Sequence, residues 1–193
     1  MADFSSWMDL ALAQARQASA SADVPVGAVI VHSSGTVLGS GRNRREADAD
    51  PTAHAEILAL RAAAAAVGSW HLEGCTLVVT LEPCPMCAGA ALAARVDRIV
   101  FAAWDPKAGA AGSVWDLPRD RNSLHRCEVV AGVREAESAA LLRSFFAPKR
   151  NEPPTPPPPK LGSAPPADCG RQNLSEHSQV SAGSGAGGGK QVT

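Results

Sequence analysis

Two short stretches of this chain carry side chains that bind metals and move protons: His54-Ala55-Glu56, and Leu81-Glu82-Pro83-Cys84-Pro85-Met86-Cys87. Cys84 and Cys87 stand three apart, so a helix opening near Pro85 projects both from one end, about 60° apart around its axis and close enough to grip one ion. His54 is a third ligand of the type zinc favours, and Glu56 stays unbound beside the metal. Three protein ligands leave one tetrahedral position open for water, which marks a catalytic zinc site rather than a structural one. The ion lowers that water's pKa to about 7, giving hydroxide at neutral pH. Glu56 then serves as the catalytic proton shuttle. It takes a proton from water and passes protons on to the atoms of a substrate under attack by the hydroxide.

A C-x-x-C pair alone also fits a redox motif or a structural zinc site. A redox motif leaves His54 and Glu56 without a role. A structural site needs a fourth ligand from Cys75, Cys127, His71 or His125, none of which stands in recognisable spacing to the first three. Buried packing is the expectation for Cys75 and Cys127, and an incidental thiol for Cys169. His71 and His125 read as local hydrogen-bonding residues, and His32 as a solvent-facing turn residue. The pair of motifs, H-x-E followed by P-C-x-x-C, is the pattern of zinc-dependent nucleobase deaminases.

The flanking sequence has to position these groups. Phe4, Trp7, Met8, Ala11, Leu12 and Ala15 recur at three and four, predicting an amphipathic helix to about Ala20 that Asp3 or Ser5 caps. The β-branched run Val24 to Val31, a turn at Ser33-Ser34-Gly35, and Thr36 to Gly41 predict an antiparallel hairpin. A polar loop follows Asn43. Asp50 or Thr52 then caps a helix running to about Val67, with Pro51 in its first turn. Residues two apart point about 200° apart on a regular helix, so His54 and Glu56 can face one pocket only from its first turn. Thr76 to Thr80 predicts a buried strand that delivers Cys84 to the N-terminus of the next helix, whose dipole favours thiolate. That helix, Ala88 to Ala94, is small on every side, which predicts close packing on a sheet and, on another face, a second subunit. Arg98 to Ala103 and Cys127 to Val130 complete the strands, and Arg134 to about Ala147 forms a closing helix. Alternating strands and helices give an α/β layered domain.

The domain is expected over residues 1–150, within a chain of 193. Residues 151–193 hold 8 Pro, 7 Gly and 5 Ser with no aromatic residue, and such a segment cannot bury enough apolar surface to order itself. It reads as a disordered tail. The domain holds 15 Lys and Arg against 16 Asp and Glu, which excludes a globally basic nucleic-acid binder. Any RNA contact must come from local clusters: Arg42, Arg44 and Arg45; Arg119, Arg121 and Arg126; Lys149 and Arg150. An odd number of cysteines, two of them metal-spaced, fits a reducing cytoplasm; the start reads as no signal peptide, no stretch approaches the ~20 apolar residues of a membrane span, and a soluble cytoplasmic protein is expected.

Asp23-Val24-Pro25-Val26-Gly27-Ala28, Asp50 to Ile57, Thr80 to Ala90, Lys107-Ala108-Gly109-Ala110-Ala111-Gly112-Ser113 and Phe145-Phe146 together resemble the bacterial tRNA-specific adenosine deaminases, over about residues 4 to 150. The zinc motif fits cytosine, guanine or deoxycytidylate deaminases equally. The Gly-Ala-Ala-Gly-Ser loop and the double Phe narrow the resemblance. It implies a cytidine-deaminase-like three-layer sandwich with a mixed central sheet and helices on both faces, one zinc ion per subunit, and a homodimer. It also implies conversion of adenosine to inosine at the wobble position of an arginine tRNA. Carried over by position, His54, Cys84 and Cys87 bind zinc and Glu56 shuttles protons. Asn43 hydrogen-bonds the flipped base, Val26, His54 and Ala55 surround it, Asp105 and Lys107 hold anticodon nucleotides, and Arg150 meets phosphate. An anticodon loop suits such a pocket because its unpaired bases splay out without opening a duplex. The chain departs from the family at Leu124, where Asn is common. The alternatives are a free nucleobase or nucleoside deaminase, a non-catalytic zinc module, and cytidine editing on the same centre.

Overall fold

The computed structural model describes residues 4–123 and 125–149. The Pro/Gly/Ser-rich tail, Arg150 and Leu124 lie outside the described residues. Strands β1 (Gly27–His32), β2 (Val37–Arg42), β3 (Cys75–Leu81), β4 (Arg98–Ala103) and β5 (Glu128–Val130) form one sheet in the order β2-β1-β3-β4-β5. β1 runs antiparallel to both β2 and β3, while β3, β4 and β5 are parallel, so the sheet is mixed. β3 and β4 are joined through a helix over Pro85–Ala93, while β4 reaches β5 by a long loop that holds only a 3-10 turn at Leu117–Arg119.

Side chains alternate across the sheet, and each face has its own apolar cluster. Ala28, Ile30, Leu77, Val79, Ile99 and Phe101 pack beneath α3 (Ala55–Val67) and α4 (Pro85–Ala93). Val29, Val31, Val78, Val100 and Ala102 pack against Met8, Ala11 and Leu12 of α1 (Phe4–Ala18), and Leu141 of α5 (Glu135–Lys149) joins them. The result is a three-layer sandwich with a core in each layer junction. α5 is fixed by the buried Ser138 hydroxyl, which donates to the Thr80 carbonyl, and by an ion pair from Arg134 to Asp9 of α1.

β2 lets α3 approach closely because it presents glycines to it. A Cβ on Gly41 would stand 2.4 Å from the Ala55 carbonyl oxygen, and one on Gly39 would stand 2.5 Å from that of Ala59. Neither has room for one.

Local structure departs from expectation at several ends. α1 starts at Phe4, so Ser5 is helical rather than a cap, and the helix passes at Ser19–Ser21 into a 3-10 turn. β1 begins at Gly27 rather than Val24, because the Val26 N–H turns back to the Val24 carbonyl at 2.8 Å. The polar loop after Asn43 contains a one-turn helix, α2 (Arg45–Asp48), whose first N–H groups at Glu46 and Ala47 donate to the buried Asp23 carboxylate at 2.7 and 3.4 Å. Neither Asp50 nor Thr52 caps α3. Asp50 instead accepts the Thr52 N–H and hydroxyl, both at 2.7 Å, closing a turn of its own around Pro51.

Candidate active site

His54 is the N-cap of α3, with extended backbone at φ −74° and ψ 151°, and Cys84 is the N-cap of α4 at φ −71° and ψ 170°. The two helices therefore open toward each other. Because His54 is still extended while Glu56 is already in the first helical turn, both side chains reach one side of the helix end. Pro85, at the first position of α4, surrenders an N–H that the helix leaves free in any case. Cys87 follows within that first turn.

The His54 Nδ1 lies 3.4 Å from the Cys87 sulfur and 3.7 Å from the Cys84 sulfur. All three donor atoms fall within 4.8 Å of one another. The Cys84 thiol is pulled down to about 4 by hydrogen bonds from Cys87 and His54, which outweigh its partial burial. Cys87 is pushed up, by donating to Cys84 and by being buried. The same contact with Cys84 raises His54. One imidazole nitrogen and two sulfurs sharing protons that a cation would displace fit a zinc ion.

Glu56 is 4% exposed, and burial pushes its carboxyl from 4.5 to about 7. Such a value is suited to giving and taking protons near neutral pH. A cavity of about 240 Å³ opens beside it, lined by Val26, Asn43, His54, Ala55, Glu56, Cys84 and Asp105 among others. Asn43 is buried. Its Nδ2 donates to the Val24 carbonyl at 3.2 Å, while its Oδ1 is buried with no partner among the described residues. That oxygen is an acceptor in need of a donor.

Of the residues singled out from sequence, the structure brings Val26, Asn43, His54, Ala55, Glu56, Cys84 and Asp105 to one cavity, with Cys87 at its metal end. Lys107 faces elsewhere, onto a groove shared with Leu142, Arg143 and Phe146. Arg45, named from sequence only in a basic cluster for RNA, also lines the cavity; sequence reasoning gave no site role to Val24, which lines it too, or to Glu82, which is 2% exposed at its edge. The only sequence signal for Glu82 is a carboxylate immediately before Pro83 in the metal-binding stretch. His125 and His71 have local partners: His125 contacts the Val96 carbonyl at 2.8 Å, and His71 stacks on Trp70 with ring centroids 3.5 Å apart. Cys75 and Cys127 are buried in the core on the α3 and α4 side. His32 ends β1, with its Nδ1 2.9 Å from the Ser34 hydroxyl. Arg44 and Arg119 are engaged locally with Asp48 and Asp116, both at 2.6 Å.

Comparison with known proteins places this geometry. The cytidine and deoxycytidylate deaminase zinc-binding region matches residues 1–103. A tRNA(Ile)-lysidine synthase of Deinococcus deserti is 55% identical over 139 residues, which are 72% of this chain and 26% of that protein. The chain thus spans about a quarter of that relative's length. A tRNA-specific adenosine deaminase of Bacillus subtilis is 44% identical over 140 residues, covering 72% of this chain and 86% of the relative. A solved structure from studies of A-to-I editing by tRNA:A34 deaminases at the wobble position of transfer RNA superimposes with a TM-score of 0.69 at 43% identity, covering 71% of this chain and 99% of that one. A metal triad at two facing helix N-termini, a buried carboxylate beside it and these matches agree that the chain belongs to the cytidine and deoxycytidylate deaminase zinc-binding family and, within it, to the tRNA-specific adenosine deaminases.

Proposed function

We propose that the protein deaminates adenosine to inosine by hydrolysis at the wobble position of a tRNA anticodon, with an arginine tRNA as the substrate that the family resemblance implies. The observation that carries this reading is the buried Glu56, with its carboxyl pushed to about 7, beside the His54, Cys84 and Cys87 triad in an open cavity. His54, Cys84 and Cys87 would hold a zinc ion, and its chemistry when bound would be to acidify a water to a pKa of about 7 and so supply a nucleophile at neutral pH. Glu56 collects the proton, delivers it to the ring nitrogen next to the carbon under attack, and returns a proton to the departing amine.

The remaining groups bind and orient. The Asn43 Oδ1 accepts from the flipped base, an interaction that satisfies an otherwise unpaired buried atom. Val26, Ala55 and His54 form walls around the ring. Asp105 accepts from a ribose hydroxyl at the cavity mouth, and Lys107, on the neighbouring groove with Arg143, meets phosphate. Arg150, outside the described residues, is assigned a phosphate contact from sequence alone. The protein acts in the cytoplasm as a homodimer. Support for the dimer comes from an apolar groove of about 250 Å³ between α3 and α4, lined by Ile57, Leu60, Trp70, Ala90 and Ala93.

The test is ammonia release by the zinc-loaded protein from an anticodon stem-loop with adenosine at the wobble position, beside free adenosine, guanine and cytosine. Release from the stem-loop alone is expected. Release from a free base and none from the stem-loop would move the assignment to a small-molecule deaminase.

A further inference from the structure

We propose that Glu82 is a positioning residue that sets the conformation of the loop over residues 105–113, and through it the grip on RNA; the second half of this inference rests on the tRNA reading above. Glu82 lies between the end of β3 and the metal-binding Cys84, with its side chain buried at 2% exposure. Its Oε2 accepts the Asp105 N–H at 3.0 Å, and its Oε1 accepts the N–H groups of Ala111 and Ser113, each at 3.0 Å. One carboxylate thus gathers backbone donors from both ends of the loop. Only an acceptor-only group can do this, since an amide would turn a donor toward one of the three.

The loop closes on Glu82 without clearance. A Cβ on Gly109 would stand 2.2 Å from the Glu82 Oε2 and 2.3 Å from its Cδ. Further bonds brace the same shape: Ala110 N–H to the Pro83 carbonyl at 2.8 Å, Gly109 N–H to the Asp105 carbonyl at 2.9 Å, and the Ser113 hydroxyl to that same carbonyl at 2.8 Å. Asp105 in turn accepts the Lys107 N–H at 2.9 Å. The carboxylate therefore fixes a loop whose Asp105 faces the cavity while its Lys107 faces the groove formed with Arg143 and Phe146. Without it, one buried and two part-buried donors need new partners, and the spacing of those two RNA contacts is lost.

Two variants and two readouts test this on the zinc-loaded full chain. In Glu82→Gln, amide hydrogen exchange followed by NMR is expected to speed up at Asp105, Ala111 and Ser113 by about tenfold or more, the loss of roughly one hydrogen bond, while β3 and β4 amides stay protected. The KM for the anticodon stem-loop rises about tenfold with kcat within about threefold and zinc content unchanged. Gly109→Ala, with Glu82 intact, is expected to raise the KM in the same way. Unchanged exchange at the three amides overturns the proposal, as does a fall in kcat accompanied by loss of zinc, which would make Glu82 a support of the metal segment instead. Should the wild-type chain fail to deaminate the stem-loop, the tRNA reading falls, and the exchange data still decide whether Glu82 holds the loop.

Discussion

Glu56 is a carboxyl whose protonation is tied to folding. Its native value, about 7 against an ordinary 4.5, means that the metal-free native state holds a proton which the unfolded chain releases in that interval. The contribution of Glu56 to stability is therefore most favourable below pH 4.5 and declines as pH rises to 7, by about 3 kcal/mol at most. Glu56→Gln removes this dependence. Urea unfolding in chelator is expected to show the variant gaining on the wild type as pH rises from 4.5 to 7, with a constant difference outside that window. A parallel pair of curves would mean that the carboxyl ionises normally. Metal content reads the neighbouring residues separately. Glu56→Ala is expected to retain zinc while losing about 10²- to 10⁴-fold in turnover, and Cys84→Ala or Cys87→Ala to lose zinc itself. His54, Glu56, Cys84 and Cys87 were legible as one group in the sequence because their types are chemically distinctive and their local spacing is fixed. The unpartnered Asn43 oxygen and the three donors converging on Glu82 were not, because both depend on backbone brought from distant parts of the chain.

At the scale of elements, the site exists because two helices begin where two strands deliver them. α3 is held against β2 at glycines, and its first turn carries Glu56 immediately after the His54 cap. Gly41→Ala drives a methyl against the Ala55 carbonyl and is expected to cost about 1–3 kcal/mol in thermal unfolding, with a weaker hold on zinc as α3 is pushed away. A control such as Gly89→Ala within α4, where a Cβ meets nothing within 4 Å, is expected to cost nothing and to gain up to about 1 kcal/mol from helix propensity. α1 could be read from its apolar period, since it buries Met8, Ala11, Leu12 and Ala15 along one face, and β1 and β3 as apolar runs buried almost throughout. α2 and the 3-10 turn at Leu117–Arg119 could not. Both are a single turn, too short to show a period, and α2 is capped by Asp23 from more than twenty residues away. Asp50-Pro51-Thr52 misled because the same residue types cap helices and close isolated turns; which they do depends on where the next apolar face begins.

At the scale of the whole molecule, a layered α/β domain followed from alternating strands and helices and the mixed sheet with helices on both faces from the family resemblance, while the apolar groove between α3 and α4 is visible only in three dimensions. Trp70 is 59% exposed at that groove. If a second copy covers it, Trp70→Glu is expected to turn a dimer into a monomer in sedimentation at micromolar concentration, with the fold retained by circular dichroism; a dimer that survives the change lies on another face. No helix among the described residues is long and apolar enough to cross a membrane. The central claim is that this cavity receives a flipped adenosine from RNA, and it meets its most direct test at one base. A tRNA with adenosine at the wobble position is incubated with the zinc-loaded protein, and in parallel with Glu56→Ala, then reverse transcribed. The wobble base is expected to be read as guanosine after the wild-type protein and as adenosine after the variant. Adenosine read in both, from protein that holds zinc, would contradict the central claim.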